Sequence, residues 1–366
     1  MSHLVLYRKY RPKTFGEVVG QEHVVQTLIN AIENDMLSHS YLFCGPKGSG
    51  KTTIARILAK RINCQNPKNG EPCNKCSSCV QINEGRAIDL IEIDAASNRG
   101  IDDIRELKEG IRFAPTHLKY KVFIIDESHQ LSKDAANALL KVLEEPPSFS
   151  VFILATTEPN KMISTISSRC QRFDFRKLTA QEIVGRLEKI AKLEKVKINK
   201  DALELIAMNA DGAMRNAEVL LDQVVSFSKG SQKEIKKEQV KELLGIIDIS
   251  LVSEFLGYVF SKQADKAINF LDQILDKGQD VNELAKAVVG YLRQLLILKL
   301  SQDLESPIFK NLTQEVKKEL KEHSQKVREN DIRKALRIFL DAQNKTKYSS
   351  IAQLPLELAI LETIGD

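Results

Sequence analysis

The sequence predicts an α/β domain built on a mostly parallel sheet, followed by two helical domains. Three observations carry that prediction. Up to about Arg176, short runs rich in β-branched and aromatic residues alternate with helical stretches. Two of those runs, Val122 to Ile125 and Val151 to Ala155, are continuously apolar, as strands buried on both faces are. From Thr179 onward the strand signal stops, and apolar residues recur at helical spacing.

The strands are read at "SYLFC" (40–44), "IDLIEID" (88–94), "KVFIID" (121–126), "SVFILAT" (150–156) and "QRFDF" (171–175). "TAQEIVGRLEKIAKLEK" then opens a helix. Thr179 with Glu182 three residues on makes a capping box, and Ile183, Leu187 and Ile190 form one apolar face. The polar run "SKGSQKEIKKEQ" (228–239) marks a second break, and the remainder is helical by pattern. The expected boundaries are 1–178 for the α/β domain, 179–242 for a small helical domain and 243–366 for a helical C-terminal domain. The length of 366 residues suits two or three domains.

A formal charge of +5 permits a basic surface without demanding one. The opening "MSHLVLYRKYRPKTF" is polar and basic, unlike a secretory signal, and apolar stretches such as Leu295 to Leu298 are too short to span a bilayer. A cytoplasmic location without membrane contact is expected. Six cysteines in such a chain are expected to be reduced, so a close cluster of them reads as a metal site.

"GPKGSGKT" fits the phosphate-loop pattern G-x-x-x-x-G-K-[ST], with a strand before it and a helix after it. The expected nucleotide-binding residues are Gly45, Pro46, Lys47, Gly48, Ser49, Gly50, Lys51, Thr52 and Thr53. Glycines let backbone N–H groups curl around phosphates at a helix N-terminus, Lys51 reaches the β- and γ-phosphates, and the Thr52 hydroxyl binds Mg²⁺. "KVFIID" ends in Asp126 and Glu127. An apolar strand ending in a carboxylate is expected beside the first strand, with Asp126 holding Mg²⁺ and Glu127 orienting the attacking water. His129 reads as a packing or polar-contact residue. Arg169, after a serine-rich stretch, reads on residue type alone as a surface arginine.

Cys64, Cys73, Cys76 and Cys79 are spaced C-x₈-C-x₂-C-x₂-C. Four thiolates at knuckle spacing make a closed Zn²⁺ site without an open position for water, so the expected role is structural. The insertion 62–80 is too polar and proline-rich to bury a core of its own, and metal binding worth roughly 10–16 kcal/mol in finger peptides would fold it. Unmetallated thiols or a redox pair are the alternatives. Cys44 and Cys170 lie outside the cluster and read as small buried residues.

Taken together, "GPKGSGKT", "IIDESH", "LATTEP", "SSRCQRF" and "GAMRNAEVL" resemble the gamma/tau family of bacterial DNA polymerase III subunits, which are AAA+ clamp-loader ATPases. "YRKYRPKTFGEVVGQEHVVQTL" and "EIDAASNRGIDDIREL" add to the likeness. The resemblance implies an AAA+ P-loop domain with an inserted zinc knuckle, a helical lid and an all-α oligomerisation collar. It implies sensor 1 at Thr157, with Thr156 the alternative, Arg169 as an arginine finger acting in trans, and Arg215 of "GAMR" as the sensor 2 residue. Tyr7, Arg11, Pro12 and Val19 fall where the family lines its adenine pocket. Ser128 stands where the family more often has an aliphatic residue.

The implied function is ATP-driven loading of a sliding clamp onto primed DNA. The implied cofactors are ATP, Mg²⁺ and structural Zn²⁺. The implied partners are other gamma/tau copies, delta and delta-prime subunits, the sliding clamp and primed-template DNA. Asn98, Arg99 and Arg105 are the expected DNA contacts, and the bland reading there is a solvated charged helix. Three competing readings are a DExH helicase, suggested by "DESH", an adenylate kinase with a four-cysteine lid, and a scaffold that does not hydrolyse ATP. The helical texture after residue 179, the chain length and the intact set of Lys51, Thr52, Asp126 and Glu127 weigh against these in turn.

Overall fold

The computed structural model describes residues 4–97, 111, 113–228, 234–301, 303, 309 and 314–365. The chain forms two compact units, Met1–Val240 and Lys241–Asp366.

In the first unit α1 (Leu6–Lys9) and α2 (Glu22–Glu33) precede β1 (Ser40–Cys44). The phosphate loop leads into α3 (Lys51–Ile62), and the cysteine-rich insertion follows with α4 (Ser77–Asn83). Then come β2 (Leu90–Asp94), β3 (Lys121–Asp126), α5 (Lys133–Glu144), β4 (Ser150–Thr156), α6 (Ser164–Ser167) and β5 (Gln171–Asp174). The five strands form one parallel sheet in the order β2-β3-β4-β1-β5.

Alternation along the strands explains why both faces are covered. Tyr41, Phe43, Val122, Ile124, Val151 and Ile153 point to one side, where they pack with Leu28 of α2 and Ile54, Ile57 and Leu58 of α3. Leu42, Phe123, Ile125, Phe152 and Leu154 point to the other, against Ala136, Leu139 and Leu143 of α5. The Phe123 and Phe152 rings stack at 5.0 Å. Each such fully buried side chain contributes about 1.5–3 kcal/mol, which is why these runs read so clearly as strands.

One expectation is corrected here. The strand ending in Asp126 does not lie beside β1. Strand β4 sits between them, pairing Leu42 with Leu154 on one side and Ile124 with Ile153 on the other. A parallel strand buried on both faces is apolar along its length whichever strands flank it, so its sequence does not encode its neighbour.

Three helices, α7 (Ala180–Leu193), α8 (Lys200–Asn209) and α9 (Met214–Ser228), follow the sheet. Helix α7 begins with the expected reciprocal cap: Thr179 Oγ1 accepts from the Glu182 N–H, and Glu182 accepts from the Thr179 N–H at 2.8 Å. Arg176 pairs with Glu182 as well, and holds its carboxyl down at about 2. Helix α10 (Lys237–Leu243) spans the boundary between the units.

The second unit contains α11 (Ile249–Phe260), α12 (Ala264–Asp276), α13 (Val281–Ser301), α14 (Gln314–Lys326), α15 (Glu329–Thr346) and α16 (Leu354–Ile364). Its own core gathers Phe255, Leu256, Leu271, Val288, Leu292, Leu295, Phe339 and Ile360. Among the described residues no helix is long and apolar enough to cross a membrane.

Candidate nucleotide site and cysteine cluster

The phosphate loop starts where β1 ends. Gly45 has φ 151°, and a Cβ there would stand 2.5 Å from the Phe175 carbonyl oxygen, so the loop lies tight against the chain leaving β5. Gly48 (φ 77°) and Gly50 (φ 102°) both take left-handed conformations. Gly50 caps α3 with no side-chain acceptor, which leaves the first-turn amides of α3 directed at the loop, as anion binding requires. Lys51, only 5% exposed, lies in the loop with its Nζ donating to the carbonyls of Gly45 (2.7 Å) and Pro46 (3.0 Å). Burial lowers its pKa, and Asp126 and Glu127 act in the opposite sense.

Although β4 intervenes, the strand ends converge. Thr52 Oγ1 donates to Asp126 Oδ2 at 2.7 Å. A hydroxyl and a carboxylate are hard oxygen donors, the kind of pair Mg²⁺ takes beside phosphates. Glu127 is in the left-handed region (φ 47°, ψ 42°), uncommon for a residue other than glycine, and its N–H donates to Asp126 Oδ1 at 3.0 Å. The Thr157 hydroxyl donates to Glu127 Oε2 at 2.7 Å.

Thr156 turns instead to His129 Nδ1 at 2.9 Å and accepts the Glu158 N–H at 3.0 Å. His129 also lies 3.5 Å from Glu127 and 3.4 Å from Glu158. It is a polar bridge around the acids. Ser128 is buried, and its hydroxyl donates to the Ala155 carbonyl at 3.0 Å.

The start of α9 meets the loop. A Cβ on Gly48 would stand 2.8 Å from Ala213 Cβ and 3.7 Å from Arg215 Cβ. The Arg215 guanidinium sits over the Tyr7 ring, 4.9 Å from its centroid. Arg11 Nε donates to Thr53 Oγ1 at 3.2 Å, and burial pushes its guanidinium down to about 10, helped by the neighbouring charge of Arg56. Pro12 and Val19 are half-buried in the same N-terminal segment. Arg169 is placed differently: it donates to the Thr165 carbonyl at 2.8 Å and pairs with Glu144 at 2.6 Å. Asn98, Arg99 and Arg105 lie outside the described residues.

Gly48→Ala is therefore expected to lower stability by about 1–2 kcal/mol, since it forces a side chain into the left-handed region against Ala213. A urea melt checks the stability. A nucleotide titration is expected to show weaker binding by the same protein.

Several site residues were not legible in the sequence. Gln21 is fully buried, and its Nε2 donates to the carbonyls of Ser49 (3.3 Å) and Arg176 (2.8 Å), strapping the loop to the exit of β5. Arg186 of α7 donates to the Tyr10 carbonyl and lies 3.9 Å from Glu218 of α9. Burial pushes the Glu218 carboxyl up to about 7, against the pull of Arg186 and Arg11. These are single polar residues whose partners are distant in the chain, and no spacing rule announces them.

In the insertion, the Sγ atoms of Cys64, Cys73, Cys76 and Cys79 all lie within 4.8 Å of one another, and Cys73 and Cys79 are 3.9 Å apart. A tetrahedral ion with thiolates at about 2.3 Å needs sulfurs about 3.8 Å apart, so this donor set fits one. Backbone N–H groups support it: Cys73 N donates to Cys64 Sγ (3.2 Å) and Cys76 N to Cys73 Sγ (3.4 Å). The amides of Lys75 and Cys76 pull the Cys73 thiol down to about 6, while burial pushes those of Cys64 and Cys79 up. Cys44 is buried and Cys170 half-buried.

Comparison with known proteins agrees with this architecture. Residues 20–179 match a family model described as DNA polymerase III, delta subunit. Residues 182–230 match a DNA polymerase III clamp loader subunit ATPase lid domain, and residues 235–365 match domain III of DNA polymerase III subunits gamma and tau. DNA polymerase III subunit tau of Bacillus subtilis is 41% identical over 99% of this chain and 63% of its own length. That of Escherichia coli is 34% identical over 100% of this chain and 56% of its own. The gamma/tau subunit of Mycoplasma genitalium is 45% identical over 75% of this chain and 46% of its own.

The chain thus spans roughly half to two thirds of the length of these relatives. Among solved structures, the RuvB Holliday junction branch migration motor of Thermotoga maritima superposes with a TM-score of 0.50 at 22% identity. The match covers 69% of this chain and 79% of RuvB, a likeness of fold. From the three matched regions and the tau relatives, the chain belongs to the gamma/tau family of bacterial DNA polymerase III subunits.

Proposed function

We propose that this chain is the ATP-hydrolysing subunit of a clamp loader, driving a sliding clamp onto primed DNA. The observation that carries the reading is the hydrogen-bonded set Thr52–Asp126 and Glu127–Thr157 beside the phosphate loop, with Arg215 next to that loop. In this reading the loop amides and Lys51 bind the phosphates, and Tyr7, Arg11, Pro12 and Val19 border the adenine. Thr52 and Asp126 would hold Mg²⁺, which supplies charge neutralisation between the β- and γ-phosphates. Glu127 orients the attacking water, Thr157 holds Glu127 until nucleotide is in place, and Arg215 ties the helical lid (179–242) to the ATPase domain (1–178).

Arg169 serves a neighbouring subunit's site, and the helical domain from 243 onward gathers the subunits. The partners are further gamma/tau copies, delta and delta-prime subunits, the clamp and primed DNA, in the cytoplasm. Asn98, Arg99 and Arg105 remain the proposed phosphate contacts to DNA. ATP turnover is the test, measured on the chain alone and then with delta, delta-prime, clamp and primed template. A low basal rate that rises with clamp and primer supports the motor, and a rate indifferent to both would sink it.

Zn²⁺ is the proposed ion of the cysteine cluster, and its role is structural. Metal analysis of the purified chain is expected to give about one zinc per chain, falling close to zero in Cys73→Ser. An unchanged metal content in that variant would refute the assignment.

A further inference from the structure

The insertion that carries the cysteines also holds the N-terminal segment. Lys68 to Glu71 form a tight hairpin, with Lys68 N–H donating to the Glu71 carbonyl (3.1 Å) and Glu71 N–H returning to that of Lys68 (2.9 Å). Asn69 (φ 49°) and Gly70 (φ 74°) occupy the turn in the pair of left-handed conformations that an Asn-Gly hairpin uses. Glu71 is two residues before Cys73. Its carboxylate accepts two backbone N–H groups, from Phe15 at 2.7 Å on Oε2 and from Gly16 at 2.6 Å on Oε1. Asn74, between Cys73 and Cys76, donates to the Lys13 carbonyl at 3.3 Å. Asn74 is tied in turn through Asn83 to the buried Lys60 of α3.

The segment so held is the one that borders the nucleotide loop. Phe15 is buried in the sheet core, Arg11 reaches Thr53, and Tyr7 lies under Arg215. The lid grips the same segment through Arg186 on the Tyr10 carbonyl and Glu194 on Lys9. The stretch from Tyr7 to Gly16 therefore has two anchors. One is the lid, which the proposed function ties to the ATPase domain through Arg215. The other is the Lys68–Glu71 turn, held by its own backbone pair and by Arg61 Nε on the Gly70 carbonyl (3.1 Å), which runs into the cysteine cluster two residues before Cys73.

The geometry points to Glu71 as a positioning residue for nucleotide binding, one that passes the metal-fixed shape of the insertion to the Tyr7–Gly16 segment. This rests on the nucleotide-site reading above. Two charge-assisted hydrogen bonds set the register of Phe15 and Gly16, and hence where Arg11 and Tyr7 stand relative to the phosphate loop. Glu71 touches no nucleotide. It acts through the segment it holds, and the metal acts through Glu71.

The test uses the full chain, a fluorescent ATP analogue titrated without turnover, metal analysis, and amide hydrogen exchange at Phe15 and Gly16. Glu71→Ala is expected to keep its zinc, to weaken analogue binding about ten-fold and to speed exchange of both amides. Glu71→Gln, which retains a single carbonyl acceptor, is expected between the two. Stripping zinc from the wild type with a chelator is expected to weaken binding similarly, and stripping it from Glu71→Ala to add little further, because both act on one path.

Unchanged affinity in zinc-loaded Glu71→Ala overturns the inference and leaves the nucleotide site standing. Failure of the wild type to bind the analogue overturns that site and this inference with it. Should Glu71→Ala not fold, the wild-type comparison with and without chelator decides. Phe15 and Gly16 amides whose exchange ignores the metal overturn the inference.

Discussion

Arg169→Ala is expected to lower ATP turnover of the assembled protein about 10³-fold while leaving nucleotide affinity nearly unchanged. The side chain is 34% exposed, and its partners are Glu144 and a carbonyl one helical turn away. Exposed pairs of this kind are worth about 0–1 kcal/mol, so the substitution leaves the fold intact and the loss is one of function. Among the described residues its side-chain partners are Thr165, Ser168 and Glu144, none of them in the phosphate loop. An arginine that serves charge developing on a neighbour's γ-phosphate would leave them when subunits meet.

Mixing separates action across subunits from action within one. Arg169→Ala chains combined with Lys51→Ala chains pair an intact loop with an intact arginine, and turnover is expected to recover in part. Full activity of Arg169→Ala by itself would remove the residue from the mechanism. No recovery on mixing would place its effect inside its own chain.

The second large effect is expected at Glu127. Glu127→Gln should cut turnover about 10²- to 10⁴-fold, the range general-base catalysis contributes, with ATP still bound. The amide keeps the length of the side chain and an oxygen for the Thr157 hydroxyl, so the contact at 2.7 Å survives. What is lost is the ability to take a proton from water. Nucleotide retention on gel filtration and steady-state turnover are the paired readouts. A variant that hydrolyses at the wild-type rate would move the catalytic role off Glu127. Loss of ATP binding would mean that the carboxylate's charge shapes the site rather than its chemistry.

Much of this site could be read in the chain because its chemistry is carried by contiguous words. "GPKGSGKT" fixes loop, helix start and lysine in eight residues, and "IIDE" marks a strand end by the switch from apolar to acidic. Burial on both faces makes β1, β3 and β4 legible, and the capping box of Thr179 and Glu182 announces a helix. Strand order was not legible, because β1, β3 and β4 are alike in texture and any of them satisfies a buried position.

The choice between Thr156 and Thr157 was also open in sequence. It depends on which face each presents at the end of β4, where only Thr157 bonds Glu127. The segment-binding role of Glu71 was hidden for a different reason. Its two N–H partners lie 55 and 56 residues away, and a lone glutamate in a polar insertion has no period to betray it.

Strand β4 has a consequence for how substitutions should sort. It pairs with the loop-bearing strand on one side and the acid-bearing strand on the other, so Asp126, Glu127 and Thr157 stand at or just beyond the strand ends of one continuous ladder. Such a ladder opens only with the whole sheet, at the slow end of the molecule's exchange spectrum. Tyr7, Arg11 and Arg215 hang instead on a short N-terminal segment and a separate helix. A mutational scan of the chain would then fall into two populations: changes anchored on the ladder register in kcat, and changes in the segment and the helix register in KM.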